Sequence, residues 1–178
     1  MKTLLASDHA ALNESLNEFF AALDAANLEE CHARLDLFWA RLAMHIRAEH
    51  LHLFPAILRA LRERTESESD CPPSLNEAVS AIERLRGDHD SFMRELSGLI
   101  RLLNGLIKTG QQSLTRESEA LRAGVVEVSE RLAAHNEFEE DQVYRWAEEL
   151  IPSSEQTRLD ARLKNELVKM PRRFQGNS

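Results

Sequence analysis

The sequence predicts an all-α protein, an up-down four-helix bundle with an extra short helix at its C-terminal end. Three observations lead there. Apolar residues recur at intervals of three and four along four long stretches, the spacing of one buried helix face. Only 6 Gly and 5 Pro occur in 178 residues, so the stretches run long with few breakers. Proline and polar clusters fall mainly between them, and short connections between long helices make sequential neighbours antiparallel.

Taken in order, the first helix can open at Thr3 or Ser7, carries the row His9, Leu12, Leu16, Phe19, Phe20 and Leu23, and should end near Asn27. Asn27-Leu28-Glu29-Glu30 has the form of a capping box for the second helix. Its row of Leu28, Cys31, Leu35, Phe38 and Leu42 then delivers His45, Glu49 and His52 before Ala56. That helix should run to about Thr65, with Pro55 tolerated as a kink just beyond the turn that carries His45 and Glu49. The polar run from Glu66 to Pro73 reads as the midpoint loop, and Ser74-x-x-Glu77 opens the third helix. Along it lie Ile82, Leu85, His89, Phe92, Leu96, Leu99 and Leu103. Gly110 to Ser113 supplies the next connection, and the fourth helix is expected from about Thr115 to Leu150. There Leu121, Val125, Val128 and Leu132 lead into His135 and Glu139, with Val143 and Trp146 beyond. Gly87, Gly98 and Gly124 should weaken their helices slightly. Pro152 ends the bundle, and Ser153-x-x-Gln156 is expected to cap a short helix with Leu159, Leu163 and Leu167 on one side. The organisation is thus a bundle over 1–150 and a C-terminal helix and tail over 151–178, which pack outside the bundle or against a partner subunit.

The chemistry lies where two apolar rows turn polar. His45 with Glu49 and His135 with Glu139 are His-x-x-x-Glu units, and residues four apart on a helix lie one above the other. An imidazole and a carboxylate so placed reach one point between helices, which is metal-site geometry. Both lone histidines follow an aspartate, in Asp8-His9 and Asp88-His89, so the chain reads as two similar halves. A single core-facing histidine is more often a hydrogen-bonded structural residue than a ligand. The glutamates are harder to dismiss, because a buried carboxylate without a partner costs several kcal/mol and neither row offers an Arg or Lys at that level. His52 extends the first row as a minor candidate ligand; His32 and His50 fall off the rows and read as solvated.

The ordered set His, His-x-x-x-Glu, His, His-x-x-x-Glu over about residues 5 to 150 resembles the hemerythrin-like family in its bacterial form. The resemblance implies a four-helix bundle around a non-haem di-iron centre, with His9, His45, His89 and His135 as imidazole ligands and Glu49 and Glu139 as bridges. Two Fe ions are the cofactor it implies; ligand chemistry alone would also accept Mn or Zn. Departures stand out beside it. The second acidic residue after the ligand glutamate is present as Glu140 but replaced by His50 in the first half. Phe54-Pro55 matches the family's aromatic-proline ending, whereas the second half has Tyr144-Arg145. Met93 stands where the oxygen-carrying members have a fifth histidine, which argues against reversible oxygen carriage.

Other features bound the function. A net charge of −8 argues against nucleic acid, which is bound through clustered Lys and Arg. The apolar run in residues 1–7 is too short for a secretory signal or a membrane span, so a cytoplasmic location is expected. Cys31 falls on an apolar row as a small core residue, and Cys71 belongs to the midpoint loop. Ligating imidazoles usually donate their second N–H to an oxygen, for which Asp8, Asp88 and Glu140 are candidates. Phe38, Leu42, Leu85, Phe92 and Leu132 would wall the site, and Tyr144 is placed at the bundle's end. The expected function is a di-iron protein that binds, senses or scavenges oxygen, nitric oxide or peroxide, with the C-terminal helix open to a second copy or a signalling partner. The alternatives are a di-iron oxidoreductase, reducing nitric oxide or peroxide or repairing iron-sulfur clusters, and a metal-storing bundle.

Overall fold

A computed structural model describes residues 2–64, 73–109 and 116–174, and all regular structure among them is helical. Helix α1 spans Lys2–Asp24 and α2 Leu28–Ala48; α2 continues through a widened π turn, Glu49–Leu53, into α3, Phe54–Arg62. The long α4 covers Leu75–Thr109. The fourth rod repeats the second: α5, Arg116–Phe138, passes through a π turn at Glu139–Val143 into α6, Tyr144–Leu150. A further helix, α7, spans Ser153–Leu167. Contacts join α1 to α2, α2 to α4, α4 to α5 and α5 back to α1, which closes four rods into a ring.

The helix ends show which local signals acted. Helix α1 already includes Lys2, ahead of both Thr3 and Ser7. It closes with Ala26 at φ 54, while the Asn27 N–H reaches Ala22 O at 3.0 Å and the Ala26 N–H reaches Leu23 O at 3.0 Å. This is the Schellman arrangement with alanine in a place that favours glycine. Asn27 caps α2 by accepting from the Glu30 N–H, but Glu30 turns to Arg34 and leaves the box half made. At α4 the box is complete, with the Ser74 N–H to Glu77 Oε2 at 2.7 Å and the Glu77 N–H to Ser74 Oγ at 3.2 Å. Ser153 lies inside α7, whose N-cap is Pro152, and Gln156 instead donates to the Glu148 and Ile151 carbonyls at the end of α6. Gly124 is a packing site as well as a weak helix former: a Cβ there would meet Leu99 Cδ2 at 2.6 Å. The expected midpoint loop from Glu66 to Pro73 lies, apart from Pro73, outside the described residues, as do Cys71 and the connection from Gly110 to Ser113.

The core is split in two. One apolar cluster, with Leu16, Phe19, Leu35, Phe38, Leu96 and Val125, fills the end where α1 meets α2. The other, with Leu5, Phe54, Ile57, Ile82, Tyr144 and Trp146, fills the opposite end. Helix α7 lies on the outside of α2 and the first π turn. Leu159 and Leu163 join the second cluster, and buried Glu166 is held there by Arg47 and Lys169. Of the described helices, none is long and apolar enough to cross a membrane.

Candidate metal centre

Between the two apolar clusters lies a polar layer formed by His9, His45, Glu49, His89, His135 and Glu139, each no more than 4% exposed. All six sequence-predicted residues therefore meet in one place. His9 and His45 aim their Nε2 atoms at each other across 3.0 Å, and His89 and His135 do the same across 2.9 Å. The two glutamates lie between these pairs. Glu139 Oε2 is 3.4 Å from His9 Nε2, while its Oε1 is 3.2 Å from His135 Nε2 and 3.6 Å from His89 Nε2. Glu49 Oε1 is 3.5 Å from His45 Nε2, and its Oε2 is 3.5 Å from His89 Nε2. Each carboxylate thus presents one oxygen to each imidazole pair. His9, His45 and Glu139 form one group that could hold a cation, and His89, His135 and Glu139 form another.

The outward Nδ1 atoms are fixed by a second ring of partners. His45 Nδ1 pairs with Asp8 at 2.9 Å and His135 Nδ1 with Asp88 at 3.2 Å. Each aspartate precedes one histidine of the layer in sequence yet serves the other histidine of that pair, because adjacent helical residues point about 100° apart. His9 Nδ1 pairs with Glu140 at 2.8 Å. The fourth partner is His50, whose Nε2 lies 3.0 Å from His89 Nδ1. His50 is therefore part of the site and not a solvated residue, because it occupies in the first half the place that Glu140 takes in the second. Such partners set which ring nitrogen faces inward. His52 faces away, 3.7 Å from Glu166 on α7, and does not reach the layer.

Tyr144 is the larger correction. It is fully buried, and its hydroxyl donates to Glu49 Oε1 at 2.7 Å, with Glu139 Oε2 and His9 Nε2 at 3.2 Å and His45 Nε2 at 3.4 Å. Regular α periodicity puts a residue five beyond Glu139 about 140° around the helix. The π turn changes that phase. The Tyr144 N–H bonds to Glu139 O, five residues back, and so stacks Tyr144 over the glutamate on the same face. The Phe54 N–H bonds to Glu49 O in the same way. Pro55 is not the cause of the irregularity, since it begins before the proline and recurs where Arg145 stands instead. The sequence held one usable signal: the internal repeat pairs Phe54 with Tyr144 and His50 with Glu140.

The electrostatics fit a cluster built for cations. Burial opposes charge on His45, but Glu49 and the Asp8 hydrogen bond outweigh it and push the imidazole up to about 10. His135 is raised too, with burial overcome by Glu139 and Asp88. Burial would raise Glu139, yet the nearby imidazoles of His135, His89 and His9 hold it well below the ordinary 4.5. Burial pushes the Tyr144 phenol well above its usual range, helped by Glu139 and Glu49. His50 is lowered, by burial first and then by His89. Imidazole protons thus supply the positive charge that two buried carboxylates demand. Even so, Glu49 Oε2 and Glu139 Oε1 lack a hydrogen-bond partner among the described residues. Both orphaned oxygens face His89.

A four-helix bundle with paired imidazoles and paired carboxylates at mid-depth defines a class of cation-binding helical proteins. The family model of the hemerythrin HHE cation binding domain matches residues 2–147, and the chain belongs to that family. No curated protein and no solved structure showed a significant match to the chain.

Proposed function

We propose that the chain is a non-haem di-iron protein in which His9 and His45 hold one ion, His89 and His135 hold the other, and Glu49 and Glu139 bridge them. The observation that carries this reading is the division of both carboxylates, one oxygen toward each imidazole pair. The two orphaned oxygens support it, because a buried carboxylate oxygen without a partner is costly until a cation meets it. Neutral nitrogen with carboxylate oxygen suits Fe, Mn or Zn, and we read the ion as iron, a choice that membership of the hemerythrin family supports. Residues 1–150 would form the metal-binding unit.

Carboxylate-rich di-iron bundles take a Glu from each of two helices and Glu-x-x-His units from the other two. This site inverts that balance toward imidazole. Bound iron would supply coordination of a small ligand and electron exchange with it; the chain's part is to fix the imidazoles, exclude bulk water and limit access. Phe38, Leu42, Leu85, Phe92 and Leu132 are all buried, and the Phe92 ring meets His135 edge-on at 5.3 Å. An apolar wall of this kind favours oxygen, nitric oxide or peroxide over larger polar substrates, so we read the protein as one that binds, senses or scavenges such a ligand. Anaerobic iron-loaded protein titrated with oxygen, nitric oxide, peroxide and azide should change its visible spectrum with at least one of them. No response to any of the four would contradict the small-ligand reading, and multiple turnovers with an electron donor would make the protein an oxidoreductase.

A further inference from the structure

The Tyr144 hydroxyl is placed too centrally for a hydrogen bond alone to explain it. A phenol has one proton, and the 2.7 Å contact to Glu49 Oε1 accounts for it. Three further contacts remain, to Glu139 Oε2, His9 Nε2 and His45 Nε2 at 3.2, 3.2 and 3.4 Å. These four partners are the inward donors of one half of the site. Around that ring, His9 to His45 spans 3.0 Å, His9 to Glu139 spans 3.4 Å and His45 to Glu49 spans 3.5 Å. Donors at right angles on a metal with bonds of about 2.1 Å stand about 3.0 Å apart. These three spacings, and the four contacts of the phenol oxygen at 2.7 to 3.4 Å, are close to the separation of neighbouring ligands on one ion.

The other half lacks this phenol oxygen. Phe54 takes the matched place and stacks on His89 with ring centroids 6.3 Å apart, as Tyr144 stacks on His9 at 5.8 Å. It offers no oxygen to Glu49 Oε2 or Glu139 Oε1, the two carboxylate atoms left without a hydrogen-bond partner.

We propose that Tyr144 is a fifth protein ligand, through its phenolate oxygen, to the ion held by His9 and His45, and that the ion held by His89 and His135 keeps the position open to an external ligand. On coordination the phenolic O–H bond breaks, a metal–oxygen bond forms and the proton leaves to solvent. Bound cations drive such losses, as a metal-coordinating thiol shows by shedding its proton outright. The inference rests on the di-iron reading, and its test separates the two.

Tyr144 is the sole tyrosine in the chain, so any tyrosinate signal from the protein belongs to it. Ferric protein should show a phenolate-to-iron charge-transfer band, and resonance Raman excitation in that band should enhance tyrosinate ring modes. In Tyr144→Phe, loaded with excess iron, the band and the modes should vanish while iron is still bound. Phe54→Tyr should add a second set of tyrosinate modes and abolish the spectral response to azide. Iron-loaded wild-type protein without tyrosinate modes would overturn the inference and leave the metal site standing, as would Tyr144→Phe with its spectrum unchanged. Failure of the wild type to bind any iron would overturn both.

Discussion

The two halves of the molecule run the same program with different side chains at two places. In each, a lone histidine follows an aspartate, a His-x-x-x-Glu unit ends at a π turn, and an aromatic ring swings onto the polar layer. Behind one imidazole pair stand Asp8 and Glu140, and over it Tyr144; behind the other stand Asp88 and His50, and over it Phe54. One imidazole pair is thus surrounded by more negative charge and more polar atoms than its twin. A repeated fold has produced unequal surroundings for the two imidazole pairs, and the inequality is carried by Glu140 against His50 and Tyr144 against Phe54.

The comparison breaks most completely at the bridges. Glu139→Ala and Glu49→Ala should each lower bound metal by at least one ion per chain, read by elemental analysis after metal loading. A full complement retained in both variants would mean that the carboxylates do not bridge. A smaller effect should follow from exchanging the partners behind the imidazoles. Glu140→Gln should weaken the ion at His9 by about 10- to 100-fold, and His50→Glu should tighten the ion at His89 by about tenfold, both read by competition with a chelator. Equal responses at the two positions would erase the asymmetry.

Protonation sharpens the same contrast. In metal-free protein His45 and His135 are raised, so the stability they give is complete below the ordinary 6.5 and is lost as pH climbs through the folded values, about 10 for His45. Glu139 is lowered, so its contribution is complete above 4.5 and is lost as pH falls through its folded value. The Tm of metal-free protein should therefore be highest between about 4.5 and 6.5 and decline toward pH 10. Metal-loaded protein should not decline in this way, because ligating imidazoles are already neutral. Parallel Tm profiles for the two forms would argue that cations and protons do not compete for this layer.

The smallest effect is remote from the site. Ala26 holds φ 54 at the end of α1, a conformation that costs a non-glycine residue on the order of 1 kcal/mol. Ala26→Gly should raise stability by about that amount in denaturant unfolding, with the metal content unchanged.

The rows that were legible in sequence are those that keep a 3.6-residue period. They placed the bundle, the six layer residues, the buried apolar rows and the box at Ser74, because spacing on a regular helix fixes which side chains share a face. What escaped lies at or beyond the π turns. There one extra residue per turn shifts the phase, so Tyr144 and Phe54 turn inward from positions that α periodicity sends elsewhere. His50, inside the first of these turns, escaped for the same reason. Glu166 was hidden differently, since its burial depends on α7 docking beside Arg47 of α2, with Lys169 three residues on as its second partner. Nothing in the local pattern of α7 specifies that docking.

Anomalous diffraction at the iron edge from crystals of iron-loaded protein tests the central claim most directly. Two peaks per chain are predicted, one between His9 and His45 and one between His89 and His135, both flanked by Glu49 and Glu139. Iron found only at surface carboxylates, or absent from the layer between the two apolar clusters, would contradict it.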